Sequence, residues 1–133
     1  REAYRVLRPG GRLCAVDSDD GLVLMHPDDI RVASVMEQAQ RLQAAKGGDR
    51  FIGRSLQSKL ISVDFSSVTS RVLSLTSSEL PFDVLFNILL GYKAALLGGE
   101  VDIKSLRKDL AAGVDAGTQL IAAGVFVVTG VKA

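Results

Sequence analysis

The chain of 133 residues is 47% apolar and carries 16 Lys and Arg against 15 Asp and Glu, a net charge of +1. That length supports one domain with a hydrophobic core, and balanced charge without a long basic run argues against nucleic acid or an anionic membrane as the principal partner. A single cysteine excludes an internal disulfide, with one histidine beside it no transition-metal site or Cys-His nucleophile pair is assigned, and the unpaired thiol makes a cytoplasmic location the expectation.

The first twenty residues, REAYRVLRPGGRLCAVDSDD, set the class. Ala3, Val6 and Leu7 fall at helical spacing. Pro9-Gly10-Gly11 stops that helix, because proline disfavours a helical residue before it and glycine takes up positive φ without steric cost. Leu13-Cys14-Ala15-Val16 is a short unbroken apolar run, the pattern of a strand covered on both faces in a mostly parallel sheet, with Cys14 packed as a small hydrophobe. Asp17-Ser18-Asp19-Asp20 then reads as an acidic loop at the strand's carboxyl end, where open α/β sheets place ligands.

Leu22 to Met25 forms an apolar patch before His26-Pro27, and Asp28 or Asp29 supplies the first-turn acid of a helix. Its stripe is Val32, Val35, Met36, Ala39 and Leu42, and Lys46-Gly47-Gly48 ends it. Asp49 is placed to cap a further helix, in which Ile52, Leu56 and Leu60 make one narrow face. Gly53 inside it costs about 1 kcal/mol relative to alanine, which points to close packing or to a ligand near the backbone. Val68 to Leu75 alternates β-branched and aliphatic residues with Ser and Thr, as a strand near a sheet edge does.

Residues 79–99 read as a helical insertion. Apolar residues from Phe82 to Leu97 cover more than one face, so this helix is expected to be buried against the core, a partner surface, a greasy substrate or a further part of the domain. Asp83, Asn87 and Lys93 make it too polar to span a membrane. Asp102 caps an amphipathic helix with Ile103, Leu106, Leu110 and Val114 on its apolar side, and Leu120 to Val131 reads as two strand pieces bent at Gly124.

Three stretches carry a family resemblance. Glu2, the run Arg5 to Leu13 and Asp17 resemble the segment around the fifth strand of class I S-adenosylmethionine-dependent methyltransferases. Gly48 to Arg54, GDRFIGR, is similar to the D-R-[YF]-I-G-R that opens a following helix, and Phe126 to Lys132 resembles the final antiparallel strand. The resemblance implies an α/β fold, the C-terminal part of a Rossmann-like methyltransferase fold: about three strands, the last pair antiparallel, and four or five helices in a single incomplete domain over 1–133. In the family's strand order, 3-2-1-4-5-7-6, the strand at Leu13 to Asp17 is internal and its fourth-strand partner is lacking here. An open apolar edge follows, and with it a homodimer or domain-swapped oligomer.

The resemblance further implies the acceptor-side portion of an enzyme that moves a methyl group from S-adenosylmethionine to a small molecule. The family's glycine-rich turn after the first strand and acidic residue ending the second have no counterpart here. No cofactor-binding residue is therefore assigned, and tight cofactor binding by this segment is not expected. The rival reading is a non-catalytic interaction module built on the open edge and the helical insertion.

Methyl transfer from a sulfonium is an in-line displacement that gains most from positioning and exclusion of water. The substrate-binding candidates are Asp17, Ser18, Asp19, Arg50 and Tyr92, with His26 the candidate base where an acceptor proton must leave. Each has a plainer alternative. Asp17 to Gly21 also reads as a turn bonding its own backbone, His26 as a surface histidine, Arg50 as a helix-terminal surface charge and Tyr92 as a packed ring. No metal is assigned.

Overall fold

The computed structural model describes residues 1–98 and 101–133. Helix α1 (Glu2–Val6) stops where Leu7 turns extended ahead of Arg8-Pro9, and Gly10, at φ 74°, swings the chain into β1 (Arg12–His26). With β2 (Phe65–Thr76) and β3 (Leu120–Lys132), β1 forms a sheet of order β1-β3-β2 in which both neighbouring pairs are antiparallel. The sheet is therefore antiparallel rather than mostly parallel, and the strand latest in sequence is its centre. α2 (Ile30–Ala45), α3 (Ile52–Ile61) and α6 (Ile103–Asp115) flank it. The insertion is one rod of three segments: α4 (Phe82–Phe86), a π-helical turn (Asn87–Gly91) and α5 (Tyr92–Leu96). Its expected last residue, Gly99, lies outside the described residues.

Local signals place the ends of α2 and α6, whereas Asp49 does not cap α3: it accepts from Phe51 N, and Phe51 is the residue before the first turn. Asp29 caps α2 by accepting from Arg31 N at 2.8 Å, and Asp102 caps α6 by accepting from Ser105 N at 3.0 Å. Gly47 and Gly117, at φ 78° and 69°, end these two helices.

Two strands depart from the sequence reading. β1 does not end at Val16: the acidic residues lie in the strand, and a register irregularity between Ser18 and Val23 absorbs the extra chain before Val23 to His26 pair with Ala123 to Leu120. Bonds of the turn kind do form, Ser18 N donating to Asp17 and Gly21 N to Asp19. The backbone nevertheless stays extended, because Val23 and Met25 have apolar partners on β3 and in the helices beyond. β3 runs unbroken through Gly124, where a Cβ would lie 2.6 Å from the Leu22 side chain. That glycine makes room for β1 rather than a bend.

Strand alternation and register divide the sheet faces. Leu13, Phe126, Val128 and Gly130 share the face on which α1 and α3 pack, through Tyr4, Leu7, Leu56 and Leu60. On the other face, Val23, Met25, Ile121, Ala123 and Leu75 lie under α2, the 82–96 rod and α6. Nearer the start of β1 that second face is bare: Cys14 is exposed, Val16 is 60% exposed and Leu73 51%. The expectation of a strand covered on both faces, with Cys14 packed, is thus corrected. No helix among the described residues is long and apolar enough to cross a membrane.

Candidate ligand cleft and buried charge cluster

The irregular part of β1 carries Asp19 and Asp20 inward, and α3 with its lead-in brings two arginines to meet them. Asp20 accepts from Arg50 Nε at 2.9 Å and Nη2 at 3.1 Å, while Lys93 Nζ from α5 stands 3.1 Å from its Oδ1. Arg50 also donates to Gln43 Oε1 at 3.0 Å, tying in α2. Asp19 accepts from Arg54 Nε at 2.8 Å and Nη2 at 2.7 Å, and from the backbone N–H of Arg54 and Gly21. The Lys93 ammonium also donates to the Leu89 carbonyl one turn back. Charge-assisted, bidentate bonds of this kind fix geometry as well as charge.

The electrostatics follow from burial and pairing. The Arg54 hydrogen bonds hold the Asp19 carboxyl below the usual carboxylate range, against a burial that would raise it. Burial pushes the Lys93 ammonium down, and Asp20 works against that shift. Gly53 lets α3 come this close: a Cβ there would lie 2.6 Å from Phe126 Cδ2 and 3.2 Å from Asp19 Cβ. Of the two readings of that glycine, close packing is the one observed.

Beside the cluster, the second half of β1 and the first turns of α2 enclose a cleft of about 530 Å³. Val23, Met25, Ile30, Val32, Ala33 and Met36 supply its apolar walls, Asp20, Asp29 and Gln40 add polar wall, and Asp28 stands at the exposed rim. Its size and mixed lining suit a small organic molecule.

The sequence-derived candidates are divided between these features. Asp19 is buried against Arg54. Arg50, far from a surface charge, has a side chain only 12% exposed, and its guanidinium carbon lies 5.9 Å from the Tyr92 ring centroid. Tyr92 itself is 60% exposed rather than packed. Asp17 is exposed and bonds the Ser18 N–H, and Ser18 is half-buried in the strand. His26 is exposed at the end of β1 and lines a separate pocket with Ser77, Ser78 and Gln119.

Asp20, Arg54, Lys93 and the walls of the cleft went unpredicted as site residues. Lys93 gave one usable signal, a cation in a rod that is apolar nearly all round. The sequence matches no family model and no curated protein.

Proposed function

We propose that this chain is the C-terminal, acceptor-side portion of a class I S-adenosylmethionine-dependent methyltransferase acting on a small molecule. The observation that carries the reading is the strand order β1-β3-β2 with β3 antiparallel to both neighbours. It agrees with the 5-7-6 end of the family's order, and the resembling segments fall at matching places: V-L-R-P-G-G between α1 and β1, R-F-I-G-R at the start of α3, and Phe126 to Lys132 in β3. The bare face around Val16 and the free edge of β1 are where further strands and helices of such a domain would pack.

The residues present do not fit the cofactor. Both buried carboxylates of β1, Asp19 and Asp20, are occupied by arginines, and no glycine-rich turn follows any described strand. Bound elsewhere in the complete enzyme, S-adenosylmethionine would supply the methyl group. In this reading the residues of this chain wall the acceptor site: β1 and α2 hold the acceptor's apolar body and exclude water, and the Asp20–Arg50–Lys93 cluster fixes the insertion against β1. The exposed Cys14 thiol supports a reducing, cytoplasmic setting.

Calorimetric titration with S-adenosylmethionine, of residues 1–133 and of the same chain continuous with whatever its reading frame encodes upstream, tests this. Binding by the longer chain alone is expected. Binding by residues 1–133, or an upstream sequence lacking a strand followed by a glycine-rich turn, overturns it.

The bare face and free edge also favour a second reading, a non-catalytic self-associating module. A concentration-dependent dimer by sedimentation, weakened by Val16→Lys, in a longer chain that also fails to bind cofactor, would favour that module.

A further inference from the structure

We propose that the cleft between β1 and α2 binds a small apolar amine, its body against Val23, Met25, Val32 and Met36 and its ammonium at Asp28. As the identity of the methyl acceptor this rests on the reading above; as a binding site it rests on the geometry alone. At about 530 Å³ the cleft falls within the size range of small-molecule sites, whose walls are mostly apolar with a few polar groups fixing orientation. The chain has two methionines, and both line this cleft. Methionine's unbranched, polarisable side chain adapts to ligands of varied shape.

Charge selects the occupant. The lining holds three carboxylates, Asp20, Asp28 and Asp29, and no Lys, Arg or His. Asp20 lies between Arg50 and Lys93, neither of which lines the cleft, and Asp29 shares Arg31 with Asp109, so these two groups offset one another. Asp28 makes no ion pair among the described residues and is exposed at the rim. The cleft therefore presents apolar walls under an uncompensated negative charge, which attracts an ammonium and repels a carboxylate.

The methionines make the test direct. With the methionine methyl groups carbon-13 labelled, the NMR signals of Met25 and Met36 report on this cleft during titration with 4-phenylbutylamine, 4-phenylbutan-1-ol and 4-phenylbutanoate. Saturable shifts of both signals are expected, with the amine bound about 1.5- to five-fold more tightly than the alcohol, the range for one exposed ion pair, and the carboxylate weakest. Asp28→Asn should erase the preference for amine over alcohol and leave alcohol binding intact. Asp28 neither caps α2 nor pairs with a cation, so the variant keeps the fold, and unchanged methionine signals in the free variant verify this.

Shifts with no probe, a carboxylate bound as well as the amine, or an amine preference that survives Asp28→Asn would each overturn the proposal. Amine binding in a chain whose longer form ignores S-adenosylmethionine would retire the methyltransferase reading and leave this site standing. Cofactor binding without amine binding would do the reverse.

Discussion

Lys93 Nζ lies 3.1 Å from Asp20 Oδ1 with both side chains 2% exposed, and Arg50 Nε reaches the other oxygen of that carboxylate at 2.9 Å. An edge strand, the lead-in to α3 and the inserted rod thus meet on a single anion. Removing it leaves Arg50 and Lys93 without a counter-ion, although Gln43 and the Leu89 carbonyl still accept from them, so Asp20→Ala is expected to cost about 3–5 kcal/mol. Lys93→Met removes an ammonium whose burial is itself unfavourable while Arg50 still holds Asp20, and should fall within about 1 kcal/mol of neutral. Urea unfolding of both variants checks the order; equal losses would contradict it.

The same cluster sets a dependence on pH. Burial lowers the Lys93 pKa in the folded chain, and Arg50 adds to the shift while Asp20 opposes it. The unfolded value is about 10.4, so between the two the unfolded chain binds more protons and stability rises with pH. The contribution is complete above the unfolded value and is lost as pH falls through the lowered folded one. The urea midpoint of the wild type, measured against that of Lys93→Met, should therefore climb toward alkaline pH. A constant difference would refute the assignment.

At the acid end the direction comes from Asp19, whose folded pKa is lowered chiefly by Arg54. Its stabilising contribution is present above about 3.9 and is lost as pH falls through the folded value. Asp19→Asn should flatten the acid limb of the stability profile, and an unaltered limb would show that other carboxylates dominate it.

Gly53→Ala opposes two effects of known size. Alanine gains about 1 kcal/mol in helix propensity, but its Cβ would sit 2.6 Å from Phe126 Cδ2 and 3.2 Å from the Ser18 carbonyl. Overpacking of that kind costs about 1–3 kcal/mol, so a net loss is expected. A stabilised variant in thermal or urea unfolding would mean that α3 can ride away from β1 cheaply.

Cys14 should react with a thiol reagent such as Ellman's in the native chain, without denaturant, because it lies on the bare part of the sheet face. Labelling only after unfolding would mean that this face is covered in solution.

What the sequence disclosed was local. The start of α2 could be read to within a residue from the Asp28-Asp29 pair, of which Asp29 proves to be the cap and neither a first-turn acid. Its end could be read from Gly47, because a cap needs only its own neighbours, and the Ile52, Leu56 and Leu60 stripe located α3. The continuation of β1 through Asp19 and Asp20 could not be read. Those residues favour turns unless distant arginines engage them, and Arg50 and Arg54 lie 30 and 35 positions on. Cys14 shows the same limit, since an apolar tetrad reads as covered on both faces whether or not anything lies over the second one. The cleft was illegible for a related reason: Val23, Met25, Val32 and Met36 look like ordinary core until two elements are set side by side.

The central position of β3 bears on how this molecule is made. Each outer strand pairs with β3 and not with the other, so Arg12 waits for Val131 and Phe65 for Lys132. A nascent chain still on the ribosome can coil its helices early, but β1 and β2 meet their shared neighbour only once Leu120–Lys132 has emerged. Contacts this remote in sequence favour slow folding, and in the interval the margins of β1 and β2 stand open to chaperones or to neighbouring nascent chains.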